Sequence, residues 1–161
     1  MDANATPLPS DDARALAAAL GQVDASHRRL RTRLAQRLGL TVGDLVALVV
    51  ISDAAECTPK VLATELGLST GTVTTLIDRL VSSGQARRSP RSGDRRSILV
   101  ELTGEGVSTI QTVSGLYVGA ITIALESSPQ VDNRHVLDSL RHTVKALDGA
   151  VKFQSKLQIP A

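Results

Sequence analysis

A chain of 161 residues with 42% hydrophobic side chains is long and apolar enough for a folded domain, and too apolar for a disordered one. Aromatic residues make up only 1%, so the core must come from leucine, valine, isoleucine and alanine, and stacking recognition of single-stranded nucleic acid lacks its platforms. Net charge is +2, and the single cysteine, Cys57, excludes an intramolecular disulfide and fits a reducing cytoplasm. The start, MDANATPLPSDD, is acidic and has no apolar run, unlike a signal peptide. The longest apolar run, Leu45 to Ile51, is far too short to cross a bilayer, so a cytoplasmic protein with no membrane partner is expected.

Residues 1–10 combine Pro7 and Pro9 with small polar residues and read as a flexible tail. A helix is predicted from about Asp11 to Arg37, capped by Ser10, with Asp11 and Asp12 placed to favour the helix dipole. Its apolar positions, Leu16, Leu20, Val23, Leu30, Leu34 and Leu38, with His27 in the gap, form a narrow stripe suited to a helix–helix seam. Such a helix is roughly 40 Å long, more than a small domain needs for itself, which points to a partner chain.

Gly39 ends that helix, and Thr41 to Asp44 opens the next with a capping-box pattern. Leu45 to Ile51 has no polar face, so this element is expected to be buried on all sides, as a helix by its cap although a strand has the same composition. Thr58-Pro59 starts a third helix, with Val61, Leu62 and Leu66 facing inward. Gly67-Leu68-Ser69 is a glycine turn, an apolar plug and a new cap. The following helix buries Val73, Leu76, Ile77 and Leu80 and stops at Gly84. Two helices joined by so tight a turn make a helix-turn-helix.

Gln85 to Ser89 and Ser97 to Leu102 are predicted strands, the second with Ile98, Val100 and Leu102 on one face, and Pro90, Ser92 and Gly93 mark the turn between them. From Val81 to Leu102, Arg87, Arg88, Arg91, Arg95 and Arg96 face only Asp94 and Glu101, a local excess of +3 that is larger than the net charge of the whole chain. A concentrated basic patch is the electrostatic footprint of a nucleic-acid binder. Thr103 caps another long helix with Val107, Ile110, Val113, Tyr117, Ile121 and Ala124 on its stripe, and a last one runs from about Val131 to Val151.

The fold class expected is therefore mainly α with a small β-hairpin wing (α+β). A winged helix-turn-helix lobe over residues 41–103 would sit within one domain, 11–161, whose helices at 11–40 and 104–161 pair two chains. A recognition helix of this kind presents its N-terminal residues to base edges in the major groove. The candidates are Ser69, Thr70, Gly71, Thr72, Thr74 and Thr75, with Arg79 the one side chain there able to hold guanine bidentately. The wing candidates are Arg87, Arg88, Arg91, Asp94, Arg95 and Arg96. An arginine lowered into a narrow minor groove meets enhanced negative potential, and Asp94 makes sense there if it orients one of them.

The run LATELGLSTGTVT from Leu62 to Thr74, then Ile77-Asp78-Arg79-Leu80, Gly84, Asp94-Arg95-Arg96 and Leu102-Thr103-x-x-Gly106, resembles the MarR family of bacterial transcriptional regulators. The resemblance covers about 45 residues closely, and the helix order extends it over nearly the whole chain. It implies a homodimer with intertwined first and last helices, bound to double-stranded, pseudo-palindromic promoter DNA and acting as a repressor. It also implies that Arg96 is the minor-groove arginine and Asp94 its partner, and that a small-molecule effector such as an aromatic acid releases the DNA. For an effector pocket the candidates are His27, Arg31 and Tyr117.

No residues suggest a catalytic site or a cofactor, and His27, His135, His142 and Cys57 show no metal-ligand spacing. Two other readings stand beside the regulator. One is a winged-helix protein-interaction module without DNA binding. The other is a thiol-based redox sensor acting through Cys57.

Overall fold

Side-chain caps at Ser10, Thr41, Thr58 and Ser69 set where the first four helices begin. The computed structural model describes residues 10–91 and 94–154, with side chains over 10–90 and 98–150. In chain order the elements are α1 (Asp11–Arg37), α2 (Val42–Asp53), α3 (Pro59–Leu66), α4 (Thr70–Ser82), β1 (Ala86–Arg91), β2 (Asp94–Leu102), α5 (Gly104–Glu126) and α6 (Asn133–Gln154). This is the helical fold with a two-stranded wing that the pattern predicted; the expected N-terminal tail, but for Ser10, lies outside the described residues. Two compact units divide within α5, one running to Val113 and the other starting at Ser114.

In the first unit the core is aliphatic, as the near absence of aromatics required. Leu48, Leu62, Val73, Ile77, Leu80 and Val100 are essentially fully buried in one cluster drawn from α2, α3, α4 and β2. Burying each such side chain stabilises the fold by roughly 1.5–3 kcal/mol. The end of α1 joins this unit through buried Leu34 and Ala35.

The expectation that α2 is buried on all sides is corrected. Leu45, Ala47, Leu48 and Ile51 are buried, but Val49 is 38% exposed and Val46 and Val50 only half-buried. α2 packs against α1, α3, α4 and β2, and these neighbours do not close around its whole circumference. An apolar residue on the open side is ordinary, because burial is a one-way rule.

Between α3 and α4 the chain reverses at Gly67, whose φ of +62° is a left-handed conformation that side chains with a Cβ avoid. Leu68 N–H donates back to Ala63 O at 3.0 Å, which satisfies a carbonyl left open at the helix end. The turn fixes the angle at which α4 leaves the lobe.

The wing is longer than predicted on both strands, β1 running on to Arg91 and β2 starting at Asp94 instead of Ser97. Pro90 lies inside β1, paired with Ile98, instead of in the turn. Proline is tolerated there because a two-stranded hairpin has free edges where no N–H is needed. Ile98 is exposed, so of the predicted inward face Val100 alone is fully covered. β1 and β2 pair in regular register from Ala86–Leu102 to Pro90–Ile98. The next pair is Arg91–Asp94, which advances one residue on β1 and four on β2, so residues 95–97 bulge without a counterpart. At its other side β2 is tied down, since Val100 N–H donates to Cys57 O at 2.7 Å.

Where the wing returns to α5, the Leu-Thr-x-x-Gly sequence explains itself. Thr103 Oγ1 donates to Gly84 O at 2.5 Å and accepts from Gly106 N–H at 3.1 Å, while Thr103 N–H donates to Gln85 O at 3.1 Å. One threonine thus caps α5 and pins it to the exit of α4. Gly106 is required because a Cβ there would lie 2.1 Å from Gln85 O, inside any permitted contact.

The second unit is apolar on its surface. Ile121 is 59% exposed on α5 and Leu147 58% on α6, and Leu116, Val118, Leu140 and Val144 are exposed with them. α6 begins at Asn133, two residues later than expected. Among the described residues α5 is long and apolar enough to cross a membrane. α5 reaches this hydropathy with serines and threonines interspersed, without a long unbroken apolar run.

Candidate nucleic-acid interface

α4 separates its faces cleanly. Val73, Leu76, Ile77 and Leu80 are buried, while Ser69, Thr70, Gly71, Thr72, Thr74 and Thr75 are all exposed. The hydroxyls are ordered by the helix itself. Ser69 Oγ accepts from Thr72 N–H at 3.3 Å and lies 2.9 Å from Thr72 Oγ1; Thr74 Oγ1 donates to Thr70 O at 2.9 Å and Thr75 Oγ1 to Gly71 O at 3.3 Å. These bonds use the protons and leave oxygen lone pairs facing out as acceptors. Donating to a phosphate instead requires only rotation about the C–O bond.

Gly71 lies in the first turn of α4, and a Cβ built there meets nothing within 4 Å. The fold therefore gives no reason for a glycine at this position. Gly71→Ala is expected to leave thermal melting unchanged or slightly raised, by up to about 1 kcal/mol, since alanine suits helices better. If the glycine serves close approach to DNA, the same variant binds duplex about tenfold more weakly; anisotropy titration checks this, and unchanged affinity removes Gly71 from the interface.

Arg79 is corrected. Its Nε and Nη2 donate to Asp44 Oδ1 at 3.2 and 2.7 Å, so the fork expected to grip guanine is turned onto α2. The physical reason is the neighbouring charge: Asp44 is buried and needs a cation. Asp44 also closes the capping box, accepting from Thr41 N–H at 3.1 Å while its own N–H donates to Thr41 Oγ1 at 3.1 Å. Burial opposes its charge, but the Arg79 guanidinium and the Thr41 hydrogen bonds outweigh that and hold the carboxyl below the usual aspartate range. The sequence offered no signal for a contact spanning 35 positions.

The wing arginines with described side chains are also paired. Arg87 Nε donates to Glu101 at 3.0 Å and Arg88 Nη2 to Asp78 on α4 at 2.6 Å. Both pairs are exposed, and exposed pairs are worth only about 0–1 kcal/mol, so a phosphate can displace the carboxylate. The side chains of Arg91, Asp94, Arg95 and Arg96 lie outside the described residues; their backbone forms the tip and bulge of the hairpin.

Of the effector candidates, His27 is exposed and Arg31 half-buried one turn further along α1, with its Nε buried and lacking a hydrogen-bond partner. Tyr117 is half-buried and belongs to the second unit. A hollow of about 300 Å³ lies elsewhere, lined by Ile51, Cys57, Val100 and Val107 together with Glu56 and Glu101. Two carboxylates make it a poor place for an acid. Cys57 is buried in the core, and burial pushes its thiol pKa up. A buried thiol that resists ionisation is inert, which counts against the redox reading.

Sequence reasoning weighed the wing and overlooked α1. Arg28, Arg29, Arg31, Arg33 and Arg37 fall within ten residues, and no acidic residue occurs between Asp24 and Asp44. A running charge count, applied without regard to motif, finds this excess at once.

Comparison with known proteins agrees with this geometry. Residues 40–98 match the sequence profile of the MarR family. The chain is 39% identical over 66 residues to the HTH-type transcriptional regulator YcgE of Bacillus subtilis, covering 41% of this chain and 43% of that one. It is 35% identical over 80 residues to the multiple antibiotic resistance protein MarR of Escherichia coli, covering 50% of this chain and 56% of that one. The matched stretches thus span about half the length of these curated relatives, which are transcriptional regulators and not enzymes. Among solved structures, a cysteine-to-serine variant of E. coli MarR complexed with operator DNA aligns with TM-score 0.58 and 29% identity, covering 82% of this chain and 92% of that one. With residues 40–98 matched to that profile and its fold shared with the E. coli protein over most of its length, the chain resembles the MarR family in its winged helix-turn-helix lobe.

Proposed function

We propose that the chain is a homodimeric transcriptional repressor that binds pseudo-palindromic duplex DNA in the cytoplasm, with α4 in the major groove and the wing arginines in the minor groove. The observation that carries this reading is the α4 face. Six small, exposed residues at the start of the helix project from a rigid lobe, with no structural use for Gly71. Hydroxyl oxygens and threonine methyls suit phosphates, base edges and thymine methyls. The E. coli relative's complex with operator DNA supports duplex DNA as the partner.

Dimerisation is supported by the uncovered apolar side chains on α1, α5 and α6, among them Val23, Ile121 and Leu147. Large apolar side chains left uncovered along helices mark interaction surfaces. A symmetric partner would supply a second α4 and place the two about 34 Å apart for successive turns of DNA. An acidic effector would find its counter-charge at Arg31, whose buried Nε lacks a partner.

The test is binding to DNA from the region upstream of its own gene, titrated across a salt series. Log affinity is expected to fall steeply with log salt, with one site preferred over random duplex. Arg96→Ala is expected to weaken that site about tenfold or more, in line with one lost groove contact worth 1–3 kcal/mol, with dimer and melting unchanged. Unaltered affinity would take the wing out of the mechanism.

One observation favours a second reading, an interaction module without DNA contact: Arg79, Arg87 and Arg88 are all internally paired. Binding that ignores salt would support it.

A further inference from the structure

Positive charge in the first unit is unevenly compensated. In the lobe, each arginine whose side chain is described has a carboxylate partner: Arg79 with Asp44, Arg87 with Glu101 and Arg88 with Asp78. On α1 the position is reversed. Arg28 pairs with Asp24, and among the described residues Arg29 bonds a hydroxyl, Ser26 Oγ at 2.9 Å, and no carboxylate. Arg31, Arg33 and Arg37 form no ion pair among the described residues. The excess over residues 28–37 is +5 by sequence, against +3 for the span holding the wing.

These arginines are arranged as well as numerous. Ala25, Arg28, Arg29, Thr32, Arg33 and Gln36 line one shallow groove along α1. Their spacing of three and four residues is one helix face. At about 100° per residue that face is roughly opposite the stripe of Leu20, Val23, Leu30 and Leu34. A seam on one side therefore leaves the guanidinium side free. Arg29, Arg33 and Arg37 also stand four residues apart, so each repels the next along the helix. A neutral side chain such as glutamine would suit an isolated α1 better. An external polyanion removes the repulsion.

We propose that this outward face of α1 is a second phosphate-binding surface, which holds the backbone of duplex DNA beside the segment contacted by α4 and the wing. The inference rests on the DNA-binding reading above. Duplex DNA is the occupant because α1 belongs to the same compact unit as α4, anchored by Leu34 and Ala35, so a duplex held by α4 meets α1 at a fixed place. DNA also carries about one charge per 1.7 Å of axis, the density that an uncompensated arginine row matches. Threonine and small residues between the arginines, Ala25 and Thr32, keep the groove open to a backbone.

The experiment uses the full chain, a mixed-sequence duplex of about 40 base pairs and fluorescence anisotropy across a salt series. Each arginine that neutralises a phosphate adds about 0.9 to the slope of log affinity against log salt. The double variant Arg29→Gln, Arg33→Gln is expected to lower the slope by about 2 and to bind about tenfold more weakly near physiological salt. Its melting temperature should hold or rise, because the repulsion between them is gone. The corresponding lysine double should keep the slope, and Arg33→Gln alone should lower it by about one, which guards against a misfolded double. An unchanged slope in the glutamine variants, with a wild-type chain that binds, overturns the α1 surface alone. A wild-type chain that binds no duplex at any salt overturns the DNA-binding reading itself.

Discussion

Gly106→Ala is expected to destabilise the first unit by about 3 kcal/mol, at the upper end of the cost of overpacking. The added methyl would sit 2.1 Å from Gln85 O and 3.2 Å from a methyl of Leu102. A flexible side chain could move aside, but Gln85 is backbone, and it is fixed by the Thr103 hydrogen bonds on one side and the buried Ala86 on the other. Relief requires α5 to lift off, and that breaks the Thr103 cap and the contact with Gly84 O together. Against a usual total stability of about 5–15 kcal/mol, the loss is large. Urea unfolding followed by circular dichroism measures it. A shift under about 1 kcal/mol would show that the junction yields, and the Leu-Thr-x-x-Gly sequence would need another explanation.

Asp44→Ala is expected to cost about 2 kcal/mol, from the lost half of the capping box at about 1 kcal/mol and a lost ion pair of similar size. The pair is discounted because Arg79 is 48% exposed and can return to water when its partner is gone. Asp44→Asn separates the two contributions, since an amide can still cap weakly but carries no charge. The pH dependence gives an independent reading. A carboxyl whose folded pKa is depressed stabilises the protein fully above its ordinary value near 3.8, and that stability is lost as pH falls through the lower folded value. The difference in unfolding free energy between wild type and Asp44→Asn should therefore shrink below about pH 4. A difference that is constant through this window would mean that the aspartate is not held by Arg79. Because α4 is anchored by this bridge, the same variant tests whether reading a site needs α4 held in place: affinity for the preferred site should fall more than affinity for random duplex.

Much of the fold was legible because its signals are local. Ser10, Thr41, Thr58 and Ser69 each announce a helix through a hydroxyl that must accept an N–H three residues on. Gly67 announces its turn through a backbone angle. The exposed candidates on α4 followed from the periodicity of Val73, Leu76, Ile77 and Leu80. What escaped was not local. The pairing of Arg79 with Asp44 joins residues far apart in sequence. Pro90 looked like a turn because proline usually breaks strands, and only the edge position of β1 made it admissible. Val49 faces outward because its neighbours leave a gap that no one-dimensional pattern reveals. The arginines of α1 belong to no motif, and only their charge count sets them apart.

The bulge at residues 95–97 has a consequence for how such a chain can change over generations. The regular ladder from Ala86–Leu102 to Pro90–Ile98 is complete before the tip begins, and the tip already accommodates three unmatched residues. Inserting or deleting a residue there need not shift Val100 out of the core or alter the Thr103 junction. The reach of the wing is thus inherited separately from the stability of the lobe. A lineage can lengthen or shorten its arginine-bearing arm to suit a new target while the rest of the molecule keeps its architecture.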